Sequence, residues 1–144
     1  MGADRLTAAG PRAWAVWLRT ILGAVAANLV VRAAGLAAFD VPPEFEPLAT
    51  AGPTVFLTVV GVGAGLGVAF AVDKRSERPV PLFQRIVVVA LLVSLLPDLL
   101  MLTDGGSQAF PGATVPAVVI LMVQHVAAAA VVLWSVTGWP GRAS

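Results

Sequence analysis

Four long apolar runs, separated by stretches rich in proline, glycine and charge, set the pattern of this chain. They cover about residues 14–39, 53–72, 82–102 and 114–136. A helix needs roughly 20 mainly apolar residues to cross a bilayer, and each run meets that requirement. The intervening stretches act as breakers. The predicted fold is all-α: a four-transmembrane-helix bundle forming a single domain over residues 1–144. The first run is too long for the apolar part of a signal peptide, and Asn28 and Arg32 interrupt it, so it is expected to remain as a span.

Composition narrows the class further. Apolar residues make up 58% of the 144 positions and charged residues only 12%, about half the charge of an ordinary soluble domain. Net charge is +1 and the basic residues are scattered, so nothing points to a nucleic-acid partner. The chain has no cysteine, which excludes disulfides, thiolate catalysis, Cys-ligated metals and lipid anchors on Cys. With one histidine and no acidic partner at a recognisable ligand spacing, neither a metal nor a cofactor is expected.

The charged positions predict an orientation. Of the nine Lys and Arg residues, eight (Arg5, Arg12, Arg19, Lys74, Arg75, Arg78, Arg85 and Arg142) precede or open the first span, flank the second connection or lie in the tail. The ninth, Arg32, lies inside a span. The first and third connections carry Asp40, Glu44, Glu46 and Asp104 with no Lys or Arg. The positive-inside rule then expects a multi-pass protein of the cell membrane with both termini cytoplasmic. Trp14, Trp17, Trp134 and Trp139 fall at the same interface in that arrangement, where indole rings favour the headgroup level.

Lipid tails compete for apolar side chains, so spans associate through close packing or polar contacts. In the second span Gly61 and Gly65 form one small-xxx-small pair, and Gly63 and Gly67 form another on nearly the opposite face. The plain reading is packing within the chain; the alternative is a homodimer through either pair. Gly23, Ala27 and Gly35 make a similar stripe in the first span.

The candidate chemistry lies inside the spans. Charged or titratable side chains there are costly and mark a site by default. At about 1.5 Å per residue, Arg32 and Asp98 share the outer third of the bilayer, while Asn28, Ser94, Gln124 and His125 share the middle. Asn28 and Arg32 are four apart, as are Ser94 and Asp98, so each pair points one way from its helix. The expectation is an Arg32–Asp98 ion pair, with Arg32 also serving the Val93 carbonyl that Pro97 leaves without its helical donor. Two further readings stand beside it. Arg32 could snorkel toward Glu44 or Glu46, and His125 with Gln124 could simply bond across helices. The ligand-binding set is therefore Asn28, Arg32, Ser94, Asp98, Gln124 and His125. The first outer connection, with prolines at 42, 43 and 47, is expected to be stiff: either a rigid interfacial turn or a lid that brings Glu44 to the outer tier. The second connection, Asp73 to Pro79, reads as an ordinary basic anchor able to meet anionic lipid.

Three stretches, Phe39-Asp40-Val41-Pro42-Pro43-Glu44-Phe45, Arg78-Pro79 and Ser94-Leu95-Leu96-Pro97-Asp98-Leu99, together make the chain similar to an uncharacterised family of small actinobacterial four-helix integral membrane proteins, a domain of unknown function. The resemblance implies four spans and a cell-membrane location. It brings no activity, cofactor or catalytic residue.

Three functions compete. The first is a noncatalytic protein, structural, accessory or binding an apolar small molecule among membrane lipids. The second is a proton-linked small-molecule transporter working as a homodimer, with Asp98 or His125 carrying the proton. The third is a membrane-embedded acid/base enzyme, an isomerase or cyclase on a lipid or terpenoid, with His125 and Asp98 as the catalytic groups.

Overall fold

The computed structural model describes residues 5–138. Trp139 and Arg142, counted above among the interfacial and basic residues, lie outside the described residues. The fold is all-helical. Four helices are long and apolar enough to cross a membrane: α1 (Ala13–Ala38), α3 (Ala51–Arg75), α4 (Pro79–Leu100) and α6 (Val115–Thr137). Two short helices lie in the connections, α2 (Glu46–Ala49) and α5 (Asp104–Ala109), and a 3-10 turn (Thr7–Ala9) precedes α1.

Local sequence explains where these helices start and stop. Prolines open α3, α4 and α6 near their first turns, where a missing N–H costs nothing. Thr114 caps α6, its hydroxyl accepting from the Ala117 N–H at 3.4 Å. Gly112 turns the chain into α6 with φ +77°; a Cβ there would come within 2.9 Å of the Glu44 stem and 3.1 Å of the Phe45 nitrogen, so glycine meets both the dihedral and the space.

The four long helices form a ring. α1 packs on α3 and α6, and α4 packs on the same two from the other side, while α3 and α6 touch across the short diagonal. α1 and α4 therefore occupy opposite corners. α6 is the most buried of the four and α4 the least. The close approach of α1 to α6 is made at Gly35, where an added Cβ would lie 2.6 Å from Ile120 Cγ1 and Cδ1. The glycines of α3 do not do this work. A Cβ at Gly61, Gly63 or Gly67 would meet nothing within 4 Å, and one at Gly65 only Val132 at 3.9 Å. Packing within the chain, the plain reading of that stripe, is thus corrected for three of the four: those positions stand on outer faces of the ring.

Each end of the ring is closed. At the basic end, the segment before α1 runs under the helices and inserts Leu6 and Ala8 into a core with Leu66, Phe83, Val132 and Val136. Asp73, at the end of α3, pins this strap. Its Oδ1 accepts from the Leu6 N–H at 2.8 Å, and Oδ2 lies 3.5 Å from the Arg5 guanidinium, which also donates to the Asp73 carbonyl. The Thr7 hydroxyl bonds the Ser135 carbonyl and the Trp17 indole bonds the Ala8 carbonyl. At the opposite end, Phe45 and Leu48 fold over the mouth and pack on Ala117, Ile120 and Leu121. The stiff first connection is a closed lid.

Candidate functional site

Between the two apolar cores lie the polar residues of the spans, and the structure divides them into groups that the sequence reading had placed together. The division begins on α6. Gln124 and His125 are adjacent, so their side chains leave the helix about 100° apart. Gln124 turns toward α1, where its amide donates to the Asn28 carbonyl at 3.1 Å. His125 turns toward α4 and Asp98.

The first group is a buried layer. Asn28 is buried and donates from Nδ2 to the Thr58 hydroxyl at 2.9 Å, and Thr58 donates in turn to the Thr54 carbonyl at 2.6 Å. Asn28 Oδ1 and Thr54 Oγ1 find no partner among the described residues. Thr54 and Thr58 escaped the sequence reading, although their spacing of four on one helix face is the same signal that marked Asn28 with Arg32. Ser94 takes no part; its hydroxyl returns to the Leu91 carbonyl of its own helix at 2.7 Å.

Arg32 and Asp98 do not pair. Their ion pair, expected from equal height, is corrected by the ring order, which sets α1 and α4 at opposite corners; Asp98 meets His125, whose neighbour Gln124 bonds Asn28, one turn before Arg32. Arg32 instead rises to the lid, donating from Nη2 to the Leu48 carbonyl at 2.8 Å and the Ala49 carbonyl at 3.3 Å. These carbonyls end α2 and lack helical donors, so the guanidinium acts as their cap. The described bonds of Arg32 do not reach the Val93 carbonyl. Glu44 is exposed and forms no ion pair among the described residues; Phe45, not Glu44, is what the lid places over the bundle.

The second group is a dyad on the α4–α6 seam. Asp98, just after Pro97 and near the end of α4, is 3% exposed. His125 Nδ1 lies 3.0 Å from Asp98 Oδ2 and 3.0 Å from the Leu121 carbonyl. One N–H cannot point at both. The carbonyl is the better aligned acceptor, and Oδ2 sits beside the ring nitrogen without a linear donor. Both neighbours of Nδ1 are oxygens that accept, so the hydrogen is assigned to Nδ1. Nε2 is then a lone-pair acceptor in the neutral ring and a second donor in the charged one. No described residue bonds it. The Asp98 side chain is 5% exposed but that of His125 is 41% exposed, so the carboxylate is inside and the imidazole reaches the outer surface of the bundle.

This arrangement can orient a base: the Leu121 carbonyl bonds the ring, the carboxylate lies against it, and Nε2 has no partner among the described residues. No cluster of three or more potential metal-ligating side chains occurs among the described residues.

The model of a family of unknown function (DUF6069) matches residues 8–140. Nothing among curated proteins or solved structures matches the chain.

Proposed function

We infer the role from the chemistry of the seam, because the chain belongs to the DUF6069 family, whose function is unknown. The protein is a small multi-pass membrane protein. The proposal is that it is noncatalytic and binds an apolar small molecule at the Asp98–His125 dyad. One observation carries this: a buried carboxylate lies 3.0 Å from the ring of a histidine that is two-fifths exposed in the middle of an apolar helix. A polar edge turned outward at that depth is costly unless something bonds it. Leu96, Leu99 and Val126, on the same two helices, are exposed and apolar. The ligand is therefore apolar in bulk with one hydroxyl or N–H group to meet Nε2, and it arrives sideways from the bilayer. Closure of both mouths, by the strap at one end and the lid at the other, supports lateral entry over an axial path, and so favours binding over transport.

The collection of basic side chains at the strap end supports a cell-membrane location with that end, and both termini, cytoplasmic. The open faces at Gly61, Gly63 and Gly67 leave room for a second copy.

A second reading, acid/base catalysis on a lipid or terpenoid, uses the same dyad, since an oriented imidazole with an open Nε2 is what a general base requires. One experiment tests both. The full chain, released from expressing membranes in mild detergent, is weighed by native mass spectrometry beside His125→Phe, which keeps the ring and loses the nitrogens. Retention of a small molecule by the parent and its loss from the variant is expected. A bare parent protein, or equal retention by both, refutes the ligand site. A His125-dependent change in the bound molecule's mass on incubation would favour catalysis.

A further inference from the structure

A recess lies at the basic end, between α1 and α6 and away from the dyad. It is an open groove of about 530 Å³ lined by Val16, Arg19, Thr20, Trp134 and Ser135, with Thr7 of the strap at its edge. Its polar groups are unequal. The Thr20 hydroxyl is spent on the Val16 carbonyl, and that of Thr7 on the Ser135 and Val136 carbonyls. Three donors remain unspent among the described residues: the Arg19 guanidinium, the Ser135 hydroxyl and the Trp134 indole N–H. No acidic residue lines the groove. Asp73, the buried acid at this end, is engaged by Arg5 and the Leu6 N–H. The groove thus offers a fixed positive charge and hydrogen-bond donors above apolar walls, at the end of the bundle where Trp14 and Trp134 are exposed.

We propose that this groove binds one anionic phospholipid of the leaflet at the basic end. The phosphate meets Arg19, whose planar donors suit phosphate oxygens. The glycerol and ester oxygens accept from Ser135 and Trp134, and the first acyl carbons lie along Val16 and the indole face. A zwitterionic headgroup would bring its own cation toward the guanidinium, which sets the preference. A free phosphate lacks the apolar body that the walls require.

The test uses the full chain in mild detergent with phosphatidylglycerol or phosphatidylcholine, bound lipid being counted by native mass spectrometry. One basic residue near an anionic headgroup corresponds to a preference of about fivefold. Phosphatidylglycerol should be retained about fivefold over phosphatidylcholine. Arg19→Gln should remove that preference, and Arg85→Gln, a basic residue of α4 outside the groove, should leave it intact. Val16→Trp, which fills the groove without changing charge, should lower phosphatidylglycerol retention with the helical circular dichroism unchanged. Equal retention of the two lipids by the parent, equal loss in both arginine variants, indifference to Val16→Trp, or displacement by millimolar inorganic phosphate would each overturn the assignment.

Discussion

The lid offers a quantitative test of what Arg32 does. Two kinds of interaction hold it. Phe45 and Leu48 are 0% and 1% exposed, and full burial of each is worth about 1.5–3 kcal/mol. Arg32 adds a 2.8 Å charge-assisted bond to the Leu48 carbonyl and a longer one to Ala49. A bond of that kind contributes about 1.5–3 kcal/mol, at the lower end here because Ala49 is exposed and water can replace the lost donor. The apolar anchors are therefore the larger contribution. Arg32→Met should leave the lid mostly closed while raising its opening constant roughly tenfold. Phe45→Ala, at about 3–5 kcal/mol, should raise it at least about a hundredfold.

The chain has no cysteine, so a single reporter has no background. Ala117 is fully buried beneath Phe45 and Leu48, and Ala117→Cys adds one sulfur there. Reaction with a water-soluble maleimide requires the thiolate and therefore water, so the rate follows the open population when opening is fast. Rates should rank parent, then Arg32→Met, then Phe45→Ala. Immediate labelling of the parent would mean that the mouth is not closed. Equal rates in the parent and Arg32→Met would mean that the guanidinium does not hold the lid, and the capping role would be abandoned.

Three further outcomes follow from the packing. Asp73→Ala should release the strap, since it leaves the buried Leu6 N–H without an acceptor at a cost of about 1–3 kcal/mol; faster proteolysis within residues 5–10 reads this, and Asp73→Asn, which keeps an acceptor oxygen, should largely restore protection. Gly35→Ala should lower thermal stability by about 1–3 kcal/mol through the clash with Ile120, whereas Gly61→Ala should stay within about 0.5 kcal/mol, and a reversed order of melting temperatures would contradict the described packing. Asn28→Leu and Thr58→Val should be non-additive by about 0.6 kcal/mol, while the Gln124 bond survives Asn28→Leu because it goes to the backbone; strict additivity in a double-mutant cycle would remove the side-chain bond from the account.

Much of the architecture was legible in the sequence because length and apolarity are properties of a segment taken alone. The four long helices and the all-α class needed nothing more. The lid was half legible: its prolines gave stiffness, but the choice of Phe45 over Glu44 as the inward group depended on the apolar cluster of Ala117, Ile120 and Leu121 on a distant helix. The strap was not legible. Leu6 and Ala8 lie among charged and small residues, and only the position of Asp73 at the end of α3 shows why they turn inward. Asp73 belongs by sequence to the basic anchor of the second connection, yet it is 8% exposed and serves the strap.

The failure at Arg32 and Asp98 has one geometric cause, and the same cause separates structure from candidate chemistry. Counting residues along a helix gives height; a contact also needs facing directions and a neighbouring helix. Asn28 and Arg32 share a direction, but a turn of rise carries one to Thr58 and the other to the lid. Gln124 and His125 share a height, but one residue of rotation sends the first into the ring and the second to its edge. Asn28 bonds Thr58 of α3 and Gln124 bonds the Asn28 carbonyl from α6, and these two bonds fix the register of α1 against its neighbours. The dyad sits where the least buried helix meets the most buried one, so it keeps a carboxylate inside while exposing an imidazole. A register device would gain nothing from that exposed edge, which is why the dyad, and not the Asn28 layer, is the place to look for a ligand.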